Sequence, residues 1–192
     1  MTAVFLDRDG VINENRPDHV KSWSEFRFLP GAPGAVARLT RSHVPVFVIT
    51  NQAIINRRVV PVEVVEDVHR RMRNEIEAYG GHVVDIAYCP HRPDEGCTCR
   101  KPQPGMILNL AAKYQLDLRE AVVIGDFLTD IEAGQAAGCR TIMVQSGRGR
   151  EQLQKLGDVE QPFAVAADLS AAVDLVLGGL LKRQHLAGIG VR

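Results

Sequence analysis

The chain has 192 residues, 45% of them hydrophobic, and its 23 lysines and arginines balance 23 aspartates and glutamates. This length suits one domain with its own hydrophobic core. A protein that binds nucleic acid mainly through the phosphate backbone would carry an excess of basic residues, and no apolar run approaches the length that spans a bilayer. Because Met1 leads directly into the first strand without a signal peptide, we expect a cytoplasmic monomer that binds neither nucleic acid nor membranes.

Two carboxylates follow the first predicted strand, Ala3 to Leu6. Asp7 and Asp9 are two positions apart, with Arg8 between them, so on an extended backbone they face the same side. Open α/β sheets bind ligands at the carboxyl ends of their strands. Such a pair can hold a hard cation, or one acid can attack an electrophile while the other transfers a proton. An isolated Asp-x-Asp would fit a solvated strand-end loop better than an active site, so the groups at the later strand ends decide between the two interpretations.

The next strand end carries groups that suit a phosphate. A predicted helix from Pro33 to Ser42 leads into a strand from Val44 to Ile49, which runs into Thr50-Asn51-Gln52. A hydroxyl and an amide can both donate hydrogen bonds to phosphate oxygens. A long helix then starts near Pro61, and a third strand covers Val83 to Tyr88. The apolar stripe of the long helix is predicted at Val65, Val68, Met72, Ile76 and Tyr79.

Three cysteines and one histidine occupy the short segment after the third strand. Cys89, His91, Cys97 and Cys99 form the ligand set of a closed tetrahedral zinc site, which leaves no position for water. We therefore expect Zn²⁺ to stabilise this loop and to take no part in catalysis. Free buried cysteines, or a disulfide in an exported protein, are the alternatives. Cys139 fits a small core residue.

Basic residues and a second pair of acids complete the set of polar strand ends. Arg100-Lys101-Pro102 precedes a predicted helix from Met106 to Tyr114, and a lysine and an arginine offer complementary ways to hold phosphate. The strand from Ala121 to Ile124 runs into Gly125-Asp126, and Asp130 falls in the first turn of the next helix. Asp130 alone would fit a helix cap and Arg100 alone a surface charge, but four polar strand ends in this order indicate an active site.

Strands and helices alternate along the rest of the chain. A helix from Thr129 to Ala137 and a strand from Arg140 to Val144 are followed by a short strand and a helix within residues 164–181. The alternation predicts an α/β fold, a three-layer Rossmann-like doubly wound parallel sheet with right-handed crossovers.

The same reading predicts the domain organisation. We expect a single domain over residues 1–181, with the zinc-binding loop 89–99 as an insertion, and a disordered tail over residues 182–192. No stretch is long enough for a separate cap domain, so loops 10–30 and 51–60 would enclose the substrate together with the zinc-binding loop.

The four strand-end motifs together resemble the haloacid dehalogenase superfamily of aspartate-nucleophile phosphatases. The matching segments are Asp7-Arg8-Asp9-Gly10-Val11-Ile12-Asn13, Thr50-Asn51-Gln52, Arg100-Lys101-Pro102 and Gly125-Asp126 through Asp130. The cysteine loop resembles the branch that holds the heptose bisphosphate and histidinol-phosphate phosphatases, and Pro104-Gly105-Met106 with the Asp-Gly-Val-Ile-Asn start resembles the heptose enzymes more. The chain departs from them at Ala53-Ile54-Ile55, where they have Ser-Gly-Ile, and at Phe127, where they have lysine.

This resemblance implies roles for the four aspartates. Asp7 would attack phosphorus and form an aspartyl phosphate, and Asp9 would protonate the leaving alkoxide and then activate water. Mg²⁺ would be held by Asp7, Asp126 and the backbone carbonyl of Asp9, with Asp130 supporting the ion through water or from behind its ligands.

The resemblance also implies the substrate and the residues that bind it. Thr50, Asn51 and Lys101 would clamp the transferred phosphoryl group, and Arg57 and Arg100 would hold a second phosphate. The expected reaction is Mg²⁺-dependent removal of the C7 phosphate from D-glycero-D-manno-heptose 1,7-bisphosphate, a small sugar phosphate. A phosphatase for histidinol phosphate or another phosphomonoester is the alternative enzyme, and a zinc-loop binding module is the non-enzyme alternative.

Overall fold

A computed structural model describes residues 2–157 and 161–179. Its six strands form one sheet, parallel throughout, in the order β3-β2-β1-β4-β5-β6. The strands are β1 (Val4–Leu6), β2 (Val46–Asn51), β3 (Val83–Cys89), β4 (Val122–Gly125), β5 (Arg140–Val144) and β6 (Ala164–Ala166). The predicted doubly wound parallel sheet is therefore confirmed. The predicted tail, 182–192, lies outside the described residues, and the single domain over residues 1–181 stays a prediction.

Six α-helices connect and follow the strands in the described residues. They are α1 (Ala32–Arg41), α2 (Val62–Ala78), α3 (Gly105–Tyr114), α4 (Leu128–Ala136), α5 (Gly149–Leu156) and α6 (Leu169–Leu177). Between the strand ends and the next α-helix, the longer connections contain only the single-turn 3₁₀ helices Trp23–Glu25 and Pro93–Glu95. In the part of the chain that the structure describes, no second sheet or helical cap covers the carboxyl edge of the main sheet.

The alternation of side chains along each strand divides the core into two layers. One layer combines strand residues Val4, Leu6, Val48 and Ile124 with α1, α2 and α6. The other combines strand residues Phe5, Phe47, Ile49 and Val123 with α3 and α4. Because both faces are covered, the central strands are apolar along nearly their whole length, as expected for a parallel sheet between two helix layers. The polar exceptions are Thr50 and Asn51 at the carboxyl end of β2.

The order of the strands determines where a ligand can bind. Strand β1 lies between β2 and β4, and the chain winds outward from it in both directions. A crevice therefore opens at the carboxyl ends of β1 and β4, the topological switch point of such sheets. The two ends are directly bonded, since the Asp7 amide donates to the Ile124 carbonyl over 3.0 Å. The fold thus brings Asp7 beside the residue that follows β4, Asp126.

Three details of the helices differ from what the sequence predicts. Tyr79 is 63% exposed and does not belong to the apolar stripe of α2, because it lies beyond the end of that helix. His69, which was not assigned to the stripe, is 5% exposed. Helix α5 was not predicted because its sequence is largely polar and of its residues only Gly149 and Gln152 are buried. Within the described chain, no helix is both long and apolar enough to cross a lipid bilayer.

Candidate active site

A cavity of about 240 Å³ opens at the carboxyl ends of the central strands. Eight of the nine residues predicted for catalysis, substrate or Mg²⁺ line it, namely Asp7, Asp9, Thr50, Asn51, Arg100, Lys101, Asp126 and Asp130. The remaining wall residues, which sequence reasoning did not identify, are Asn15, Arg16, His19, Phe127, Thr129 and Arg148. The four motifs therefore meet at one site although they are far apart in the sequence.

Arg57 is the predicted residue that the structure does not bring to this cavity. After β2 the chain coils back on itself, since the Arg57 amide donates to the Ala53 carbonyl over 2.9 Å and Arg58 adopts a positive φ of 56°. Arg57 consequently lines a separate depression that also contains Arg92 and Glu95.

Lys101 joins two of the acids at the floor of the cavity. Its Nζ lies 2.7 Å from Asp7 Oδ1 and 2.6 Å from Asp130 Oδ1, and it donates to the Ile49 carbonyl over 2.9 Å. These three contacts use the three donors of an ammonium group. Burial alone would lower the pKa of Lys101, but the charges of Asp130 and Asp7 outweigh it and raise that pKa. Lys101 is therefore a fixed positive charge between two aspartates.

Asn51 holds the segment that carries Lys101. Its Nδ2 donates to the Lys101 carbonyl and its Oδ1 accepts from the Lys101 amide, each over 3.1 Å. The side chain at the end of β2 thereby binds the backbone of residue 101 on both sides. This pair of bonds positions Lys101, a role that the sequence alone did not suggest for Asn51.

Three carboxylates converge beside Lys101. Asp7, Asp126 and Asp130 each offer an oxygen, and these oxygens lie within 4.8 Å of one another. Burial raises the pKa of Asp7 well above its usual value, and Asp130 and Asp126 add to the rise although Lys101 opposes it. Burial and the charge of Asp130 raise the pKa of Asp126 to about 6. Such crowding of buried negative charge, with oxygen donors, fits a hard divalent cation such as Mg²⁺.

Two glycines leave room for the Asp126 carboxylate. A Cβ atom on Gly10 would lie 2.0 Å from Asp126 Oδ2, and one on Gly147 would lie 2.2 Å from the same oxygen. Both glycines have a positive φ, 91° and 56°, a backbone conformation that residues with a side chain rarely adopt. Asp126 Oδ2 also accepts from the Arg148 amide over 2.8 Å. The orientation of this carboxylate is therefore set by backbone on two sides.

Asp9 is held by donors that keep it ionised. Arg8 NH2 lies 2.8 Å from its Oδ2, Asn13 Nδ2 donates to its Oδ1 over 2.8 Å, and Gln52 Nε2 donates to its Oδ2 over 3.1 Å. Burial would raise the pKa of Asp9, but Arg8 and the hydrogen bonds outweigh it and lower that pKa. Gln52 also donates to the Thr50 hydroxyl oxygen over 2.9 Å, so it links the two sides of the cavity.

The predicted zinc ligands form a compact cluster in the loop between β3 and α3. The sulfurs of Cys89, Cys97 and Cys99 are 3.2–3.6 Å apart, and His91 Nδ1 lies 3.5 Å from Cys89 Sγ and 3.2 Å from Cys99 Sγ. Four ligands around a tetrahedral zinc ion would be separated by about 3.6–3.8 Å. The cluster is therefore compatible with zinc.

The zinc-binding loop leads directly into the cavity. Burial would raise the pKa of Cys97, but backbone N–H groups of Arg100 and Cys99 lower it to about 7, and a thiolate is the form that binds metal. Arg100 NH1 donates to the His91 carbonyl over 3.2 Å, so the cavity residue is tied to the loop by its side chain as well.

Comparisons with known proteins agree with this geometry. A family model described as HAD-hydrolase-like matches residues 98–172. The D-glycero-beta-D-manno-heptose-1,7-bisphosphate 7-phosphatase of Pseudomonas putida is 40% identical over 89% of this chain and 97% of its own length. The D-glycero-alpha-D-manno-heptose-1,7-bisphosphate 7-phosphatase of Mycobacterium tuberculosis is 32% identical over 85% of this chain and 90% of its own.

A solved structure extends the similarity to three dimensions. The crystal structure of D,D-heptose 1,7-bisphosphate phosphatase from Bordetella bronchiseptica, complexed with magnesium and phosphate, has a TM-score of 0.88 and 39% identity, and the match covers 93% of this chain and 99% of that one. The fold and the strand-end acids thus define a haloacid dehalogenase-like hydrolase. Within that class the chain belongs to the family of the D-glycero-D-manno-heptose-1,7-bisphosphate 7-phosphatases.

Replacing Asp126 with asparagine is expected to stabilise the metal-free protein at neutral pH. The pKa of Asp126 in the folded protein, about 6, exceeds that of an aspartate in the unfolded chain. Ionisation of Asp126 therefore lowers the free energy of unfolding, an effect that is absent below about pH 4 and complete above about pH 6. In EDTA at pH 7.5, Asp126→Asn should raise the free energy of unfolding by about 1–3 kcal/mol, with the gain roughly halved at pH 5. Urea unfolding at both pH values measures this.

The control for this variant is Glu132→Gln, which changes an exposed acid on α4, the helix that follows Asp126, and should alter the free energy of unfolding little. Saturating Mg²⁺ should reverse the order, because only the wild type binds the ion well. An asparagine variant that is less stable than the wild type in EDTA at pH 7.5 would contradict the crowding of charge.

Cys97→Ser is expected to release zinc and loosen the segment that leads to Lys101. Elemental analysis should find one zinc per wild-type chain, and the variant should lose several kcal/mol of unfolding free energy because metal binding contributes to folding. Cys139→Ala is the matched control, since Cys139 lies outside the cluster and should keep the zinc. A metal-free native protein in which a thiol reagent titrates all four cysteines would contradict the site.

Proposed function

We propose that the chain is a Mg²⁺-dependent phosphatase that removes the C7 phosphate from D-glycero-D-manno-heptose 1,7-bisphosphate through an aspartyl phosphate. The observation that carries the proposal is the cluster at the switch point, in which Lys101 touches Asp7 and Asp130 while Asp126 and Asp9 line the same cavity. The relatives named for this reaction add support, since they match nearly the whole chain.

Asp7 is the proposed nucleophile. Its carboxylate attacks phosphorus in line with the bond between phosphorus and the sugar oxygen. That bond breaks, and the sugar leaves as an alkoxide. Lys101, 2.7 Å from Asp7 Oδ1, holds the nucleophile in one orientation and offsets the charge of the incoming phosphate. Water then attacks the phosphorus of the aspartyl phosphate, which releases inorganic phosphate and restores the carboxylate.

Asp9 is the proposed acid and base. It must give a proton to the departing alkoxide and take one from the attacking water. Arg8, Asn13 and Gln52 favour the ionised form in the empty site, which suits the second step. A bound phosphate monoester brings negative charge beside Asp9 and so raises its pKa, which favours the protonated form that the first step needs.

Mg²⁺ fits the crowded carboxylates. Asp7 and Asp126 would hold the ion with the backbone carbonyl of Asp9, and Asp130 would support it. When bound, the ion supplies positive charge that lowers the repulsion between the nucleophile and the phosphate. We assign the phosphoryl clamp to the Thr50 hydroxyl and the second amide hydrogen of Asn51, with Lys101 contributing its positive charge while its three donors stay on the protein.

The cations at the mouth of the cavity support a substrate with a second phosphate. Arg100 and Arg148 line the cavity and are not needed for the transferred group. Relatives named for the beta anomer are 38–40% identical to this chain, whereas a relative named for the alpha anomer is 32% identical, so we propose the beta anomer. The cluster of free thiols supports a reducing compartment such as the cytoplasm, and the monomeric state stays a prediction.

Asp7→Asn is expected to abolish turnover while the fold stays intact. The amide keeps the shape of the side chain and removes the nucleophile, so kcat should fall by about 10⁴-fold or more. Release of inorganic phosphate from the heptose bisphosphate with and without Mg²⁺ measures this, and circular dichroism checks the fold. Near-normal turnover in the variant would overturn the aspartyl-phosphate mechanism, and wild-type turnover in EDTA would overturn the requirement for Mg²⁺.

Arg100→Ala is expected to impair the bisphosphate more than a monophosphate. If Arg100 binds the phosphate that stays on the sugar, the variant should lose about 10- to 100-fold in kcat/KM on the bisphosphate and less than about threefold on the 7-monophosphate. Arg119→Ala is the control and should change neither value, because Arg119 is exposed, pairs with Asp117 and does not line the cavity.

Activity on the heptose bisphosphate, the 7-monophosphate and histidinol phosphate separates the remaining candidate functions. Equal losses on both substrates for Arg100→Ala would assign Arg100 to the clamp on the transferred group. A wild type that prefers histidinol phosphate or another monophosphate would overturn the heptose assignment and leave the phosphatase. A chain that releases phosphate from no monoester would favour the zinc-loop binding module.

A further inference from the structure

Arg8 is a buried cation that lies beside the cavity without lining it. It is 1% exposed and is the largest fully buried side chain in the described residues. Its NH2 group donates to both oxygens of Asp9, over 2.8 and 3.1 Å, and its NH1 group lies 3.0 Å from His69 Nε2. The guanidinium therefore connects an acid at the cavity with a histidine on α2.

The direction of the bond between Arg8 and His69 follows from their chemistry. An arginine has donors only, so His69 accepts through Nε2 and carries its proton on Nδ1. Burial and the charge of Arg8 lower the pKa of His69 to about 3, so the ring is neutral throughout the physiological range. The ring packs beside Tyr88, with centroids 5.6 Å apart.

His69 fixes the guanidinium to a rigid part of the fold. It lies on α2 one residue after Val68, whose side chain is buried in the core between that helix and the sheet. No residue of α2 lines the cavity. The contact through Arg8 links this helix to Asp9.

A purely stabilising role explains this pair poorly. A buried charge costs several kcal/mol of desolvation and is best satisfied by a carboxylate with all donors used. Here the partner on one side is a neutral ring, and Arg8 Nε has no hydrogen-bond partner in the described part of the chain. The arrangement is more useful for holding the Asp9 carboxylate in one orientation.

We propose that His69 and Arg8 are positioning residues for the acid-base group, with His69 Nε2 holding the guanidinium that orients Asp9. This inference rests on the proposed function, since it assigns Asp9 to the transfer of a proton to the leaving alkoxide. Neither residue lines the cavity. Loss of the acceptor on α2 lets the guanidinium rotate, and the carboxylate then presents its oxygens to the leaving group less often.

Three variants of His69 separate positioning from packing. Glutamine can present an amide oxygen near the position of Nε2, asparagine is an amide too short to reach Arg8, and leucine has no acceptor. Each is measured by kcat/KM on the sugar bisphosphate, whose leaving alkoxide needs a proton, and on p-nitrophenyl phosphate, whose leaving group departs without one. The parameter kcat/KM is informative because it reports only the steps up to departure of the leaving group.

His69→Asn and His69→Leu should lose about 10- to 100-fold on the sugar bisphosphate and less than about threefold on the nitrophenyl ester. His69→Gln should stay within about threefold of the wild type on both substrates. Val68→Ala is the matched control, because it removes core contacts one residue away without touching Arg8 and should leave the ratio of the two kcat/KM values unchanged. If the leucine variant fails to fold, the comparison of glutamine with asparagine decides.

Equal losses on both substrates, an unchanged ratio in the asparagine variant, or a glutamine variant as impaired as asparagine would each overturn the inference. The proposed function is tested separately by the wild type, which must release phosphate from both substrates only with Mg²⁺.

Discussion

The crowding of negative charge at the carboxyl ends of β1 and β4 is the constraint on which the site depends. Asp7, Asp126 and Asp130 are buried together, and their oxygens lie within 4.8 Å of one another. Burial of like charges is unfavourable, so the surrounding structure has to supply positive charge in a fixed place. Lys101, with 2.7 and 2.6 Å contacts to two of the acids, supplies part of it. The three carboxylates still carry more negative charge than Lys101 offsets, and this excess accounts for the fit to a divalent cation.

Asn51 and the cysteine loop both help to position Lys101. Asn51 at the end of β2 binds the Lys101 backbone on both sides. The cysteine cluster lies immediately before it in the chain, and the Arg100 amide donates to Cys97 Sγ over 3.4 Å. A structural metal is therefore well suited to this loop, because the segment it fixes carries the charge on which the buried acids depend.

The two acids of the first motif have opposite surroundings although they are two residues apart. Asp7 lies among other carboxylates and has a raised pKa, whereas Asp9 is bound by Arg8, Asn13 and Gln52 and has a lowered one. Two groups with pKa values moved in opposite directions are typical of a division of chemical roles. The residue that separates them, Arg8, contributes to that difference from the buried side of the strand end.

The sequence by itself determined the fold class, the positions of the acids and the cysteine cluster. These features depend on local patterns: apolar strands followed by Asp-x-Asp or Gly-Asp, and metal-binding residues at short spacing. Only the tertiary structure decided which distant groups meet. Helix α2 carries His69 at a helical spacing from Val65 and Met72, which indicates burial but names no partner. The contact of His69 with Arg8 spans 61 positions in the sequence, and Arg57 lines a depression other than the cavity. Such pairings follow from strand order and loop conformation, which local patterns do not encode.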